Sequence, residues 1–93
     1  MDAVSFNDFA AEAKAQGFDE VTERHWDPRV VLDIHTHPFA VRALLVRGEM
    51  WLTVGVETRH LRPGDVFELE RDAPHAERYG VDGATYWVAR RHA

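Results

Sequence analysis

Apolar and polar positions change their period once along the chain. Near the start, Phe6, Phe9, Ala10 and Ala13 recur at i, i+3, i+4 and i+7, the spacing of one helical face. Ser5 is a suitable N-cap, with Asp8 three residues on as a weak capping-box partner. Gly17 suits a left-handed helix stop. The pattern predicts a short helix within residues 1–18 that packs its phenylalanines on the main body. Beyond Gly17 the period shortens to that of strands. Val30–His35, Ala43–Val46, Met50–Val54, Glu57–Leu61, Val66–Leu69, His75–Tyr79 and Ala84–Val88 are short β-rich runs. Asp27-Pro28, Arg47-Gly48, Val54-Gly55, Pro63-Gly64-Asp65 and Asp82-Gly83 punctuate them as turn signals. Seven or eight such strands predict an all-β antiparallel sandwich or barrel over residues 19–93.

Composition narrows the function classes. With 93 residues the chain supports one domain and one core. It is 45% hydrophobic and 29% charged, and no apolar run is long enough to span a membrane. The first residues read as an amphipathic helix rather than a secretory signal. The sequence has no cysteine, which excludes disulfides, thiolate ligands and cysteine nucleophiles and fits a reducing cytoplasm. A net charge of −5, with no basic cluster larger than Arg90-Arg91, argues against nucleic acid as a partner. A cytoplasmic protein that handles a metal or a small molecule is the expectation.

Candidate chemistry centres on histidine. His35 and His37 are two apart, so on an extended strand both imidazoles leave the same face. His75, preceded by Pro74, would come from a distant strand and complete a set of three neutral nitrogen donors for a divalent transition metal. The competing reading of each histidine is a surface or hydrogen-bonded core residue. His25, His60 and His92 are given that reading: nothing fixes His25 near the others, His60 precedes a turn, and His92 lies at the terminus. Glu77 and Tyr79 follow His75 in the same strand phase. Glu77 could therefore reach the metal or hydrogen-bond one of its ligands, and Tyr79 could direct a hydroxyl inward. Val41, Ala43 and Leu45 continue the phase of the first two histidines and are expected to line an apolar pocket. Phe39, Trp51, Phe67, Tyr86 and Trp87 are expected in the core.

Taken together, His35-Thr36-His37-Pro38, Gly48-Glu49, Pro63-Gly64-Asp65-Val66 and Pro74-His75 resemble the two motifs of the cupin superfamily, specifically its small single-domain barrels. The resemblance covers roughly Val31 to Tyr79. It implies a double-stranded β-helix, or jelly-roll barrel, with a metal near its axis held by His35, His37 and His75. Gly48 would serve the turn closing the first motif, and Pro63-Gly64-Asp65 the turn opening the second. A homodimer formed through sheet edges or an exchanged terminal strand is also implied. Two positions depart from the family pattern. Val41 and Arg42 stand where a glutamate ligand is expected, and Glu70 and Asp72 where a proline and a glycine are. Three neutral donors leave the ion, whether Fe, Mn, Ni, Cu or Zn, with more positive charge and an extra open position. Such sites resemble those of iron thiol dioxygenases and diketone-cleaving dioxygenases, which implies an oxygenase or isomerase acting on a small organic molecule. The alternative is a non-catalytic, metal-dependent module that binds or senses a small ligand.

Overall fold

The computed structural model describes residues 5–92; residues 1–4 and 93, at the outer ends of the expected helical segment and barrel, lie outside the described residues. Helix α1 runs Phe6–Ala15, and the Ser5 hydroxyl accepts the Asp8 N–H at 3.0 Å. The helix ends at Gly17, whose φ is +94°. There the Gly17 and Phe18 amides return to the carbonyls of Lys14 and Ala13. Six strands follow: β1 Glu20–Trp26, β2 Val31–His35, β3 Ala40–Val54, β4 Glu57–Leu61, β5 Val66–Leu69 and β6 His75–Arg91.

Two of these strands, β3 and β6, are long and pair antiparallel along nearly their whole length. The first half of β3 and the second half of β6 are flanked by β5 and β1; the other halves are flanked by β4 and β2. The result is two four-stranded sheets sharing their central pair, and their inner faces close on one core in a jelly-roll barrel. Val41, Ala43, Leu45, Met50, Leu52, Leu61, Phe67, Leu69, Tyr79, Ala84, Tyr86 and Val88 form that core. On the outer side of the first sheet, Phe9 and Ala13 pack against Ala89, Leu44, Val21 and Trp87. Trp87 therefore anchors the helix rather than the barrel interior.

The bend in the central pair departs from expectation. Arg47-Gly48 and Asp82-Gly83 do not end strands; they mark where β3 and β6 turn together from one sheet into the other. The register slips by one residue on β3 at Val46 and then by three in the opposite sense on β6 over Gly80–Gly83, and the buried positions of β3 change from odd (Val41, Ala43, Leu45) to even (Met50, Leu52). Gly48 sits inside this bend with φ +78°, and a Cβ there would stand 2.1 Å from the Gly83 carbonyl oxygen. Glycine is needed here for close strand approach rather than for a terminal turn. Pro63-Gly64-Asp65 does form the turn into β5, and its Gly64 amide and Asp65 carbonyl bond to Leu45 in mid-β3. Strand β1 was not among the expected strands.

The bend makes a comparison of two glycines informative. Gly48 and Gly55 both have positive φ, but a Cβ at Gly55 meets nothing within 4 Å. Gly55→Ala should cost about 1 kcal/mol from backbone strain alone. Gly48→Ala adds a clash with backbone and should cost a further ~1–3 kcal/mol. At about 4–8 °C per kcal/mol in a domain of this size, thermal melting resolves the two. Equal melting temperatures would count against a steric role for Gly48.

Candidate metal centre

His35 is the last residue of β2 and lies directly opposite His75, the first residue of β6. His37 is not on the strand. Residues 36–39 leave it, because Pro38 lacks an N–H and restrains the residue before it. The His37 carbonyl accepts the Asp72 amide at 2.8 Å, which ties this loop to the turn just before His75. Asp72 adopts φ +63°, the left-handed conformation that the family's glycine would supply. Two chain segments forty residues apart in sequence are thus fastened through their backbones.

The three imidazoles converge. Ring centroids lie 4.3 Å apart for His35 and His75, 4.9 Å for His35 and His37, and 5.2 Å for His37 and His75. Each offers one nitrogen, and all three nitrogens fall within 4.8 Å of one another, so these residues could hold a metal ion. Their orientation has a definite cause. Nδ1 of His35 lies 2.7 Å from the Asp33 carbonyl, and Nδ1 of His75 lies 2.9 Å from the Ala73 carbonyl. A carbonyl can only accept, so both Nδ1 atoms carry a proton and both Nε2 atoms are the ones turned toward the cluster. Burial lowers the proton affinity of His37 below the ordinary imidazole range, and charge on His75 and His35, then on Arg90 and Arg24, lowers it further.

Val41, at one of the positions of the absent family carboxylate, faces inward and is buried; Arg42 points outward to Glu68. A carboxylate arrives instead from β6. Glu77 is buried, with Oε2 at 3.3 Å from His35 Nε2 and 3.8 Å from His75 Nε2. Two atoms each about 2.1 Å from one ion stand roughly 3.0–3.4 Å apart, so the shorter separation fits a shared ion. Its other oxygen accepts the Tyr79 hydroxyl at 2.8 Å. Tyr79 stacks on Trp26, whose Nε1 donates to the Tyr86 hydroxyl at 2.9 Å.

A pocket of about 110 Å³ opens beside the histidines. His35, His37, His75, Glu77 and Val41 line it, whereas Ala43 and Leu45 are fully buried and do not. Phe39, Phe67 and Tyr86 also reach it; Trp51 lies away from it, stacked on His60. His60 bonds Glu49, His25 bonds Thr85, and the His92 amide donates to Asp19, so none of the three joins the cluster. Arg24, Trp26 and Arg90 are lining residues that the sequence reading did not select. Strand β1 carries no apolar alternation that would mark Arg24 and Trp26, whereas Arg90 follows the buried Val88 in strand phase at the end of β6.

Residues 17–91 match the family described as the AraC-like ligand binding domain. The chain belongs to that family. This AraC-like domain also shares the fold of solved cupins, as its structural neighbours show. It superposes on a chain from crystal structures of the DMSP lyases RdDddP and RnDddQII with TM-score 0.72 and 26% identity, covering 78% of this chain and 38% of that one. It superposes on an RmlC-like cupin from Shewanella frigidimarina NCIMB 400 with TM-score 0.68 and 18% identity, covering 80% of this chain and 67% of that one. In sequence, 39 residues are 41% identical to an uncharacterised HTH-type transcriptional regulator of Haemophilus influenzae, covering 42% of this chain and 13% of that protein. The AraC-like domain thus spans a minor part of both the regulator and the lyase chain.

The inner tyrosines of the domain allow a direct test. Tyr79 and Tyr86 are the chain's only tyrosines. Burial, more than any other cause, pushes both hydroxyls above their ordinary value of 10.0, and the Glu77 charge pushes in the same direction. A folded pKa raised above the unfolded one gives stability that is complete below pH 10 and is lost as pH rises beyond it. Tyrosinate absorbance should therefore stay absent past pH 10 and then appear together with loss of folded tryptophan fluorescence. Ionisation near pH 10 with the fold intact would contradict the burial.

Proposed function

We propose that this domain binds a small molecule at a mononuclear divalent metal held by His35, His37 and His75, with Glu77 as fourth ligand. The observation that carries this reading is the convergence of two backbone-oriented Nε2 atoms on one buried carboxylate oxygen. A buried carboxylate calls for a compensating cation, and a divalent ion shared with the imidazoles would supply that charge. When bound, such an ion would polarise an oxygen ligand at its open positions. Glu77 would balance part of its charge, as the family's motif glutamate does elsewhere, but from the second motif. Tyr79 would hold that carboxylate in place through the hydroxyl bond to Oε1.

Membership in the AraC-like ligand-binding family and partial identity with a transcriptional regulator favour ligand sensing over turnover. A regulator built on this domain would contact DNA through another part of its chain or a partner, consistent with the acidic charge here. Likeness to DMSP lyase structures supports the second reading, in which the same centre turns a small organic molecule over. The cysteine-free sequence fits the cytoplasm, and no helix among the described residues is long and apolar enough to cross a membrane. A homodimer is part of the proposal: Val31 and Ile34 on edge strand β2 are 67% and 71% exposed and call for cover.

Elemental analysis of untagged protein should find about one transition-metal equivalent per chain. His75→Ala should abolish it, and Glu77→Gln should weaken metal affinity by about 10–100-fold. No uptake after reconstitution with iron, manganese, nickel, copper and zinc would sink the centre. Light scattering should give twice the 10.7 kDa chain mass, and a monomer at micromolar concentration would refute the dimer. Oxygen uptake by the iron form across thiols and diketones separates the oxygenase reading from sensing.

A further inference from the structure

Two arginines enter the barrel from the sheet opposite His75 and Glu77. Arg24 pairs across strands with Tyr86, and Arg90 pairs with Glu20 on one side and Val41 on the other. Tyr86 and Val41 face the interior, so Arg24 and Arg90 share the inward phase, and both line the histidine pocket. An inward arginine on a barrel strand needs an anion. Arg90 has one in part: Nη1 donates to Glu20 at 3.0 Å, and the guanidinium lies 4.9 Å from the Phe39 ring centre. Its Nε–H, however, is buried without an acceptor, the single buried side-chain polar atom so placed among the described residues. Arg24 has no carboxylate partner among those residues and rests 4.7 Å over Trp26.

The remaining walls, Leu32, Phe67, Leu69 and Val88, are apolar. They suit a carbon skeleton better than a bare inorganic ion. At about 110 Å³ the pocket is somewhat smaller than the ~150 Å³ cavity that admits benzene, so it encloses roughly six non-hydrogen atoms and leaves the end of a slightly longer ligand at its open mouth. A planar guanidinium fork matches a carboxylate in geometry as well as charge.

We propose that the pocket selects a small organic acid, its carboxylate held by Arg90 and Arg24 and a second oxygen function directed to the histidine centre. The metal-facing half rests on the function proposed above; the arginine half does not.

The test uses untagged, nickel-loaded protein and calorimetric titration with oxalate, malonate and succinate, with malonamide as neutral control and inorganic phosphate as the simple-anion control. At least one dicarboxylate should bind at least tenfold more tightly than malonamide and than phosphate. Arg24→Met and Arg90→Met should each weaken it tenfold or more without changing nickel content. Arg90→Lys, which keeps the charge and the fold but loses the fork, should weaken it too. The proposal falls if no dicarboxylate binds, if malonamide or phosphate binds equally well, or if the folded arginine variants bind like the parent. Nickel uptake without carboxylate binding would overturn this inference and leave the metal centre standing. Arginine-dependent carboxylate binding by protein that takes up no metal would support the arginine half and overturn the metal centre instead.

Discussion

Everything in this molecule depends on β3 and β6 bending together. A flat pair of that length would give one open sheet with a single buried face. By crossing from one sheet to the other at the same level, the two strands let each sheet cover the other, and their flanking strands follow. The bend is possible because Gly48 lies closer to the Gly83 backbone, and Gly83 closer to the Trp26 backbone, than any side chain at either position would allow. It also carries Tyr79 and Tyr86, on the two halves of β6, into one interior. The pocket exists at the rim of that closure, where the end of β2 lies beside the start of β6 and the opposite sheet contributes its last inward residues.

Electrostatics then decides what the rim can do. Three convergent imidazoles form a donor set, in which burial and its neighbours' charge lower the proton affinity of His37, and the buried Glu77 carboxylate stands beside them. Val41 and Glu77 lie on opposite sides of the same change from the family pattern. The apolar side chain at the first-motif position enlarges the dry wall, while the carboxylate approaches from the neighbouring strand. On the far side, two guanidinium groups with incomplete acceptors reverse the sign of the charge within a few residues' width.

Much of this was legible from residue types and spacing. The helix and its cap, the all-β architecture and the three histidines follow from periodicity and from a resemblance in motif. Strand phase puts Glu77 and Tyr79 on the buried side with His75, and phase holds there because β6 is regular over those residues. Where phase fails, so did the reading: Val41 lines the pocket, but Ala43 and Leu45 lie beyond its floor, and His37 leaves the strand at a proline. Arg47-Gly48 and Asp82-Gly83 look like turns because a bend between sheets needs the same small, permissive residues. Strand β1 escaped notice because its inward positions, Thr22, Arg24 and Trp26, are mostly polar or amphipathic, so the usual apolar alternation is absent. That omission also hid the arginine side of the pocket.

The carbonyl oxygens of Asp33 and Ala73 that orient two of the imidazoles have a consequence for how this site tolerates change. They belong to the main chain, so any residue at either position that keeps the local conformation presents the same acceptor. Ligand aim is therefore insulated from side-chain drift on the histidine side. The carboxylate enjoys no such protection, since a single hydroxyl on Tyr79 steadies it. A lineage of such domains could readily retune the charge and reach of its centre through that one contact while the imidazole geometry stayed constant.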